Sequence, residues 1–203
     1  MEDSQLNSIQ PLLEYFHRLI VLNADEKELI QSKFHPHLFL KRQFVLQHGD
    51  VCEYFNFVVR GCLRLYKVGA DGVYHILQFG TENYWILDLT SFHKKQPAQL
   101  DIDALEDTLV LRINHADLID LYIKAPKFDR IFRVLLENHF MLQQQRMGQL
   151  FSSTAEERYQ LFMETYPHLL GRLSQVQIAA YLGITPEFLS RIRGRRAKGD
   201  RSS

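Results

Sequence analysis

The chain has 203 residues, 46% of them apolar, and its 24 basic and 24 acidic side chains give a formal net charge of zero. Such a chain buries ordinary cores and commonly divides into one large and one small domain. No run approaches roughly 18 uninterrupted apolar residues, and the start Met1-Glu2-Asp3-Ser4-Gln5 is acidic, so neither a membrane span nor a signal peptide is expected and the cytoplasm is the expected compartment.

Residues 9 to 34 read as helical, with Ile9, Leu12, Leu13, Phe16 and Ile20, then Leu29, Ile30 and Phe34 spaced for a buried stripe interrupted near Asn23. From Leu38 to Ile113 the texture changes to short runs rich in Val, Phe, Tyr, Ile and Leu, punctuated by Gly49-Asp50, Arg60-Gly61, Asp71-Gly72 and Gly80. That pattern predicts antiparallel strands, about eight of them, rolled into a barrel or jelly roll. Ala70-Asp71-Gly72 between two such runs marks a tight hairpin, because glycine supplies the positive φ of the turn. Cys52 and Cys62 fall in this β-rich region; two cysteines fit reduced thiols, and they are too few for a four-cysteine iron–sulfur site on one chain. His35 and His37 flank Pro36 without nearby partners, so neither a metal nor another cofactor is expected. After Pro126 the period lengthens, and Phe128, Ile131, Phe132, Leu135, Leu136, Phe140, Leu142, Met147 and Leu150 predict one helix of about six turns. Its apolar length predicts packing against a second copy as a parallel pair. Thr154-Ala155-Glu156-Glu157 is a capping box that opens another helix, which Pro167 stops.

The stretch 173–193 is the most informative. Two short helices crossing steeply need a small residue at the crossing and a turn that tolerates unusual backbone angles, and Ala179 and Gly183 meet those needs. Ser174 with Gln177 is a capping box, and Thr185 followed by Pro186 is an N-cap followed by proline at the first helical position. Ile178, Leu182, Ile184, Leu189 and Ile192 form the seam, leaving Glu187, Phe188, Ser190, Arg191 and Arg193 outward. This is a helix-turn-helix. From Gly171 onward seven basic residues (Arg172, Arg191, Arg193, Arg195, Arg196, Lys198, Arg201) face two acidic ones (Glu187, Asp200), a net of plus five that leaves minus five elsewhere. The positive field lies where a phosphate backbone would run.

The order of parts resembles the Crp/Fnr superfamily of transcription regulators over nearly the whole chain. Gly49-Asp50 and Phe57-Val58-Val59-Arg60-Gly61-Cys62-Leu63-Arg64-Leu65-Tyr66 look like that family's turn and strand-Gly-strand motif, and Glu187-Phe188-Leu189-Ser190-Arg191 matches the Glu-x-x-Ser-Arg pattern of the Fnr branch. The resemblance implies an α+β fold: an N-terminal β-roll or jelly roll with flanking helices (1–123), a long dimerisation helix (124–151), and a C-terminal helix-turn-helix domain (152–203) with a truncated or missing wing. It implies a homodimer that reads double-stranded DNA with Thr185, Glu187, Ser190, Arg191, Arg193, Arg195 and Arg196, and RNA polymerase as a further partner. Two departures stand out. Pro186 occupies a position where cyclic-AMP receptor proteins carry an arginine, and Ala197 to Ser203 stand in place of the usual two-stranded wing, which implies either a weaker grip on the DNA backbone or its replacement by Arg195, Arg196, Lys198 and Arg201.

Relatives that bind cyclic nucleotides use a Gly-Glu pair for the ribose and an Arg followed by a small hydroxyl residue for the phosphate; Leu87-Asp88 and Ala98-Gln99 stand at those positions here. Without the arginine nothing neutralises a buried phosphate, so cyclic-nucleotide binding is expected to be weak or absent. Phe79, Glu82, Tyr84, Trp85, Asp88, Ala98 and Gln99 remain the candidates for a pocket that takes an unknown small-molecule effector. The aromatic cluster Phe79, Tyr84, Trp85 and Phe92 fits filling of the roll better than lining a pocket. No nucleophile with a base, Gly-rich phosphate loop or metal motif supports an enzyme. The expected function is a sequence-specific transcription regulator; the alternative is a small-molecule-binding module that acts through a protein partner without DNA.

Overall fold

A computed structural model describes residues 2–199. They form two compact units, Met1–Lys67 with Leu77–Glu137, and Val68–Ile76 with Asn138–Ser203.

The first unit opens with helices α1 (Glu2–His17) and α2 (Ala24–Lys33). The interruption near Asn23 is a cap: the Glu26 backbone N–H donates to the Asn23 side chain, and the Asn23 N–H donates to the Glu26 carboxylate. Two otherwise orphaned donors are thereby satisfied, which fixes the start of α2. Eight strands follow: β1 (His35–Phe39), β2 (Phe44–Leu46), β3 (Tyr54–Arg60), β4 (Leu63–Val68), β5 (Tyr74–Gly80), β6 (Trp85–Ile86), β7 (Asp101–Ala104) and β8 (Thr108–Asn114). They make two four-stranded sheets, ordered β1-β8-β3-β6 and β2-β7-β4-β5, the roll expected from the punctuated apolar runs. β1 begins at His35, earlier than the sequence texture places it. Pro36 is tolerated there because β1 is an edge strand, where a missing N–H costs no central ladder bond.

Strand periodicity assigns the faces. Phe55 and Phe57 of β3 point to the helical side, where their rings lie 4.7 and 5.0 Å from that of Trp85 and Phe57 also meets Tyr15 of α1 at 5.3 Å. Tyr54, Asn56 and Val58 point the other way, into the roll, in register with Asn114, Arg112 and Val110 of β8. Between β3 and β4, Gly61 sits at φ 106°, and a Cβ there would fall 2.5 Å from the Thr108 hydroxyl, so a glycine is required. Gly69 and Gly72 close the β4–β5 turn through backbone bonds to Val73 and to each other. Cys52 and Cys62 are both buried and not joined in a disulfide, and burial pushes the Cys52 thiol up to about 11.

Two helices interrupt the expected texture: α3 (Leu89–Lys94) between β6 and β7, and α4 (His115–Lys124) after β8. Helix α5 (Lys127–Ser152) runs 26 residues, about 39 Å at 1.5 Å per residue. Its first turns are anchored in the first unit by the buried Phe128, Ile131 and Phe132. Farther along it exposes Phe140, Met141, Met147 and Phe151. In the second unit α6 (Ala155–Thr165), α7 (Gln175–Leu182) and α8 (Pro186–Gly199) follow, with a 3₁₀ turn at Pro167–Leu169. Thr154 and Glu157 form the expected capping box of α6. Helix α8 ends at Gly199, the last described residue, and among the described residues no helix is long and apolar enough to cross a membrane.

Candidate nucleic-acid interface and sensor region

The geometry of α7 and α8 follows from local chemistry. Ser174 accepts from the Gln177 N–H and Gln177 reciprocates, so α7 starts at Gln175. It ends on Gly183, whose left-handed backbone (φ 69°, ψ 37°) lets both its own N–H and that of Ile184 reach the Ala179 carbonyl. This closing turn absorbs orphaned carbonyls at no steric cost to a residue without Cβ. The Phe188 N–H donates to Thr185 Oγ1 at 3.2 Å, which caps α8 beside Pro186. Ile178, Ala179, Leu182, Leu189 and Ile192 are buried in the seam.

Positions 187, 190, 191 and 194 share one helical face, and Glu187, Ser190 and Arg191 are exposed on it. The Arg191 guanidinium lies 5.0 Å from the centre of the Phe188 ring, which supports its extension away from the helix. Thr185 and Arg193 are also exposed. Arg195 and Arg196 turn back toward α6, where Arg195 meets Glu156 at 3.5 Å and Arg196 donates to Gln160. Both remain at the surface, so these are screened contacts from which a phosphate can compete them away. The Lys198 side chain, Asp200 and Arg201, counted in the basic terminus, lie outside the described residues.

Two arginines that sequence reasoning missed hold the hairpin in place. Arg146 of α5 donates to the Ile76 carbonyl at 2.6 Å and to the Tyr181 carbonyl at 2.9 Å, and its guanidinium stacks 3.9 Å from the centre of the Tyr181 ring. Burial pulls its pKa below the ordinary arginine value, with Tyr181 and Tyr166 opposing that shift. Arg158 of α6 donates to the Leu182 carbonyl at 3.2 Å and to the Ser153 carbonyl at 2.7 Å. The last turn of α7 is therefore capped by side chains from two other helices.

Phe79, Trp85, Phe92 and Ala98 are buried, and Trp85 fills the helical side of its sheet rather than the inside of the roll. Trp85 meets Phe16, Phe34, Phe55, Phe57 and Phe132. Tyr84 sits in the turn before β6, where its N–H donates to the Thr81 carbonyl. Glu82 accepts from the Gly61 N–H at 2.9 Å and so braces the β3–β4 turn. Asp88 is N-cap of α3, accepting from the Ser91 N–H at 3.0 Å and from the Gln99 N–H at 3.3 Å. Its carboxylate is thus engaged by backbone donors on both sides of the loop that carries Ala98 and Gln99.

The family model of the cyclic nucleotide-binding domain matches residues 36–124, a span running from within β1 to the end of α4. A search of curated proteins finds no significant match. Among solved structures the chain is similar to FixK2 from Bradyrhizobium japonicum, at 22% identity and a TM-score of 0.72 over 82% of this chain and 86% of that one. It is similar also to CLP, the c-di-GMP responsive global regulator of Xanthomonas campestris, at 16% identity and a TM-score of 0.68 over 87% and 93%. A protein of the Crp/Fnr family from Eubacterium rectale matches at 19% identity and a TM-score of 0.67 over 92% and 89%. At these identities the likeness establishes a shared fold.

Proposed function

We propose that this chain, whose residues 36–124 match the cyclic nucleotide-binding domain and whose fold is shared with Crp/Fnr regulators, is a homodimeric, sequence-specific DNA-binding transcription regulator. The observation that carries this reading is the exposed row Glu187, Ser190 and Arg191 on a helix whose opposite side is locked into the α7–α8 seam. A guanidinium can donate in a fork to guanine O6 and N7, and a carboxylate can accept from cytosine N4. Ser190 assists them, while Thr185, Arg193, Arg195 and Arg196 contact phosphates, which fixes register without specifying sequence. Enzymatic chemistry has no place in this reading, and RNA polymerase is a natural further partner for a regulator bound beside a promoter. The test is selection of genomic duplexes by the full chain, followed by fluorescence anisotropy across a salt series. Nanomolar binding to a selected duplex with a large excess over scrambled sequence is expected; equal affinity for both would favour a module that works through a protein partner.

Dimerisation rests on α5. Leu136, Phe140, Met147 and Leu150 are exposed at steps of four, seven and three residues, the a/d spacing of a coiled-coil seam. A second copy of the same helix covers such a stripe and places two recognition helices about one helical turn of DNA, roughly 34 Å, apart. Sedimentation at micromolar concentration is expected to give a species of twice 23.9 kDa, and Phe140→Glu to shift it to the monomer. A single 23.9 kDa species in the unmodified protein would refute the pairing.

The regulator is proposed to act without cyclic AMP. Ala98 offers no cation to a phosphate, and Asp88 is held by the Ser91 and Gln99 N–H groups. Desolvating a phosphate there without a partner is strongly unfavourable. Cyclic AMP and cyclic GMP at about 1 mM are therefore expected to leave the melting temperature unchanged; a rise of several degrees would show that another group supplies the charge.

A further inference from the structure

The roll contains a cavity of about 470 Å³ that touches none of Asp88, Ala98 or Gln99. Its walls include Phe39, Leu46 and Ile102, and three polar side chains of one sheet face converge on it: Tyr54, Asn56 and Arg112. Asn56 and Arg112 are direct partners across the β3–β8 ladder, and Tyr54 precedes Asn56 by one strand repeat on the same face.

Two of these groups are unmatched. Asn56 is 3% exposed; its Nδ2 donates weakly to the Tyr54 and Ile86 carbonyls at 3.4 and 3.5 Å, while Oδ1 accepts from nothing. A buried amide oxygen without a donor opposes folding and is retained only where something compensates. Arg112 stacks 4.3 Å from the Tyr54 ring centre and makes no ion pair among the described residues. The Tyr54 ring holds its planar fork in one orientation, which suits a carboxylate. At the mouth, the loop before β3 adds two exposed carboxylates to the lining, Asp50 and Glu53.

The geometry points to this cavity as the binding site of a small zwitterion of the amino-acid class, a ligand carrying an ammonium, a carboxylate and an apolar side chain. The carboxylate pairs with the Arg112 guanidinium. The ammonium faces the negative rim of Asp50 and Glu53, which would repel a simple anion. The apolar side chain displaces water against Phe39, Leu46 and Ile102. The volume lies within the range of small-ligand pockets, and nothing in the assignment depends on DNA binding.

The test is thermal denaturation of the full chain without DNA, in the presence of each of the twenty standard L-amino acids at about 10 mM, followed by calorimetry on those that stabilise. At least one apolar amino acid is expected to raise the melting temperature by several degrees with a Kd near 0.1 mM, a hundredfold excess of ligand over Kd. Its analogues lacking the ammonium or the carboxylate are expected to bind at least tenfold more weakly. Arg112→Gln should weaken binding at least tenfold. The paired Asp50→Asn and Glu53→Gln substitutions should also weaken it while leaving the unliganded protein folded, since both side chains are exposed. No stabilisation by any of the twenty, equal binding by the truncated analogues, or undiminished binding by the folded Arg112→Gln protein or by the folded Asp50→Asn/Glu53→Gln protein would each overturn the assignment. Because no readout involves a duplex, failure here leaves the DNA titration to stand or fall separately.

Discussion

Arg191→Ala is expected to cost the protein most of its preference for a selected duplex. One bidentate arginine–guanine contact is worth about 1 to 3 kcal/mol of discrimination. A homodimer loses it in both half-sites, so the total is about 2 to 6 kcal/mol, roughly thirtyfold to more than ten-thousandfold in Kd. Arg191 is exposed on the free face of α8 and touches Phe188, outside the buried seam, so the substitution should leave the melting temperature within about a degree of the parent protein. The salt dependence separates its role from that of its neighbours. A base-reading arginine released from the duplex leaves the slope of log K against log salt nearly intact, whereas removing a phosphate contact lowers its magnitude by about 0.9 per half-site. Arg193→Gln and Arg195→Gln are therefore expected to flatten the slope with a modest, sequence-independent loss of affinity. Arg195 will show less of this than Arg193, because leaving Glu156 at 3.5 Å offsets part of its gain from a phosphate. An Arg191→Ala protein that keeps its full preference for the selected sequence would remove α8 from the major groove.

The features legible in the sequence are those whose causes act within a few residues. Ser174, Gln177, Gly183 and Thr185 each settle a helix end through bonds to positions at most four residues away, and Pro186 presets the first helical φ, so residue type and spacing announce the hairpin before any coordinates. The strand texture of 38–113 is similarly local, because alternation and turn glycines are written along the chain. Sequence did not show α3, whose six residues are too few for a helical period to register and whose start depends on Asp88 acting as a cap. It placed β1 late because His35 and Pro36 are poor strand formers that an edge position accommodates. It was silent on Arg146 and Arg158 for a different reason. Their acceptors are backbone carbonyls 70, 35 and 24 residues away, and a carbonyl carries no residue signature. The Asn56–Arg112 pairing is equally invisible, since it is created by the register of β3 on β8.

Those long-range bonds lead to the second large effect: Arg146→Ala is expected to destabilise the C-terminal unit by about 2 to 4 kcal/mol. Two charge-assisted hydrogen bonds disappear and leave the Ile76 and Tyr181 carbonyls without this donor, at about 1 to 3 kcal/mol for each buried group left unmatched. The cation–π stack on Tyr181 is lost as well. The same guanidinium serves a strand carbonyl in the 68–76 segment and the last turn of α7, so both should loosen together. Hydrogen exchange is expected to accelerate by roughly thirtyfold or more across 68–76 and 175–184, while the amides of β3 and β8 in the other unit keep their protection. Arg146→Lys distinguishes geometry from charge. Both carbonyls are served by the one Nη2 nitrogen; an ammonium retains the charge, yet its shorter stem falls short of that position and it has no planar face to stack on the ring, so it should recover less than half of the loss. Urea unfolding followed separately in the two units gives the energies, and a change below about 0.5 kcal/mol for Arg146→Ala would show that water replaces the arginine at both carbonyls. If the loss is as large as expected, DNA affinity should fall with it even though Arg146 lies outside the Glu187–Arg191 face. A recognition helix reads a groove only when the helix packed behind it is held still, and on α7 Arg146 of α5 shares that hold with Arg158 of α6.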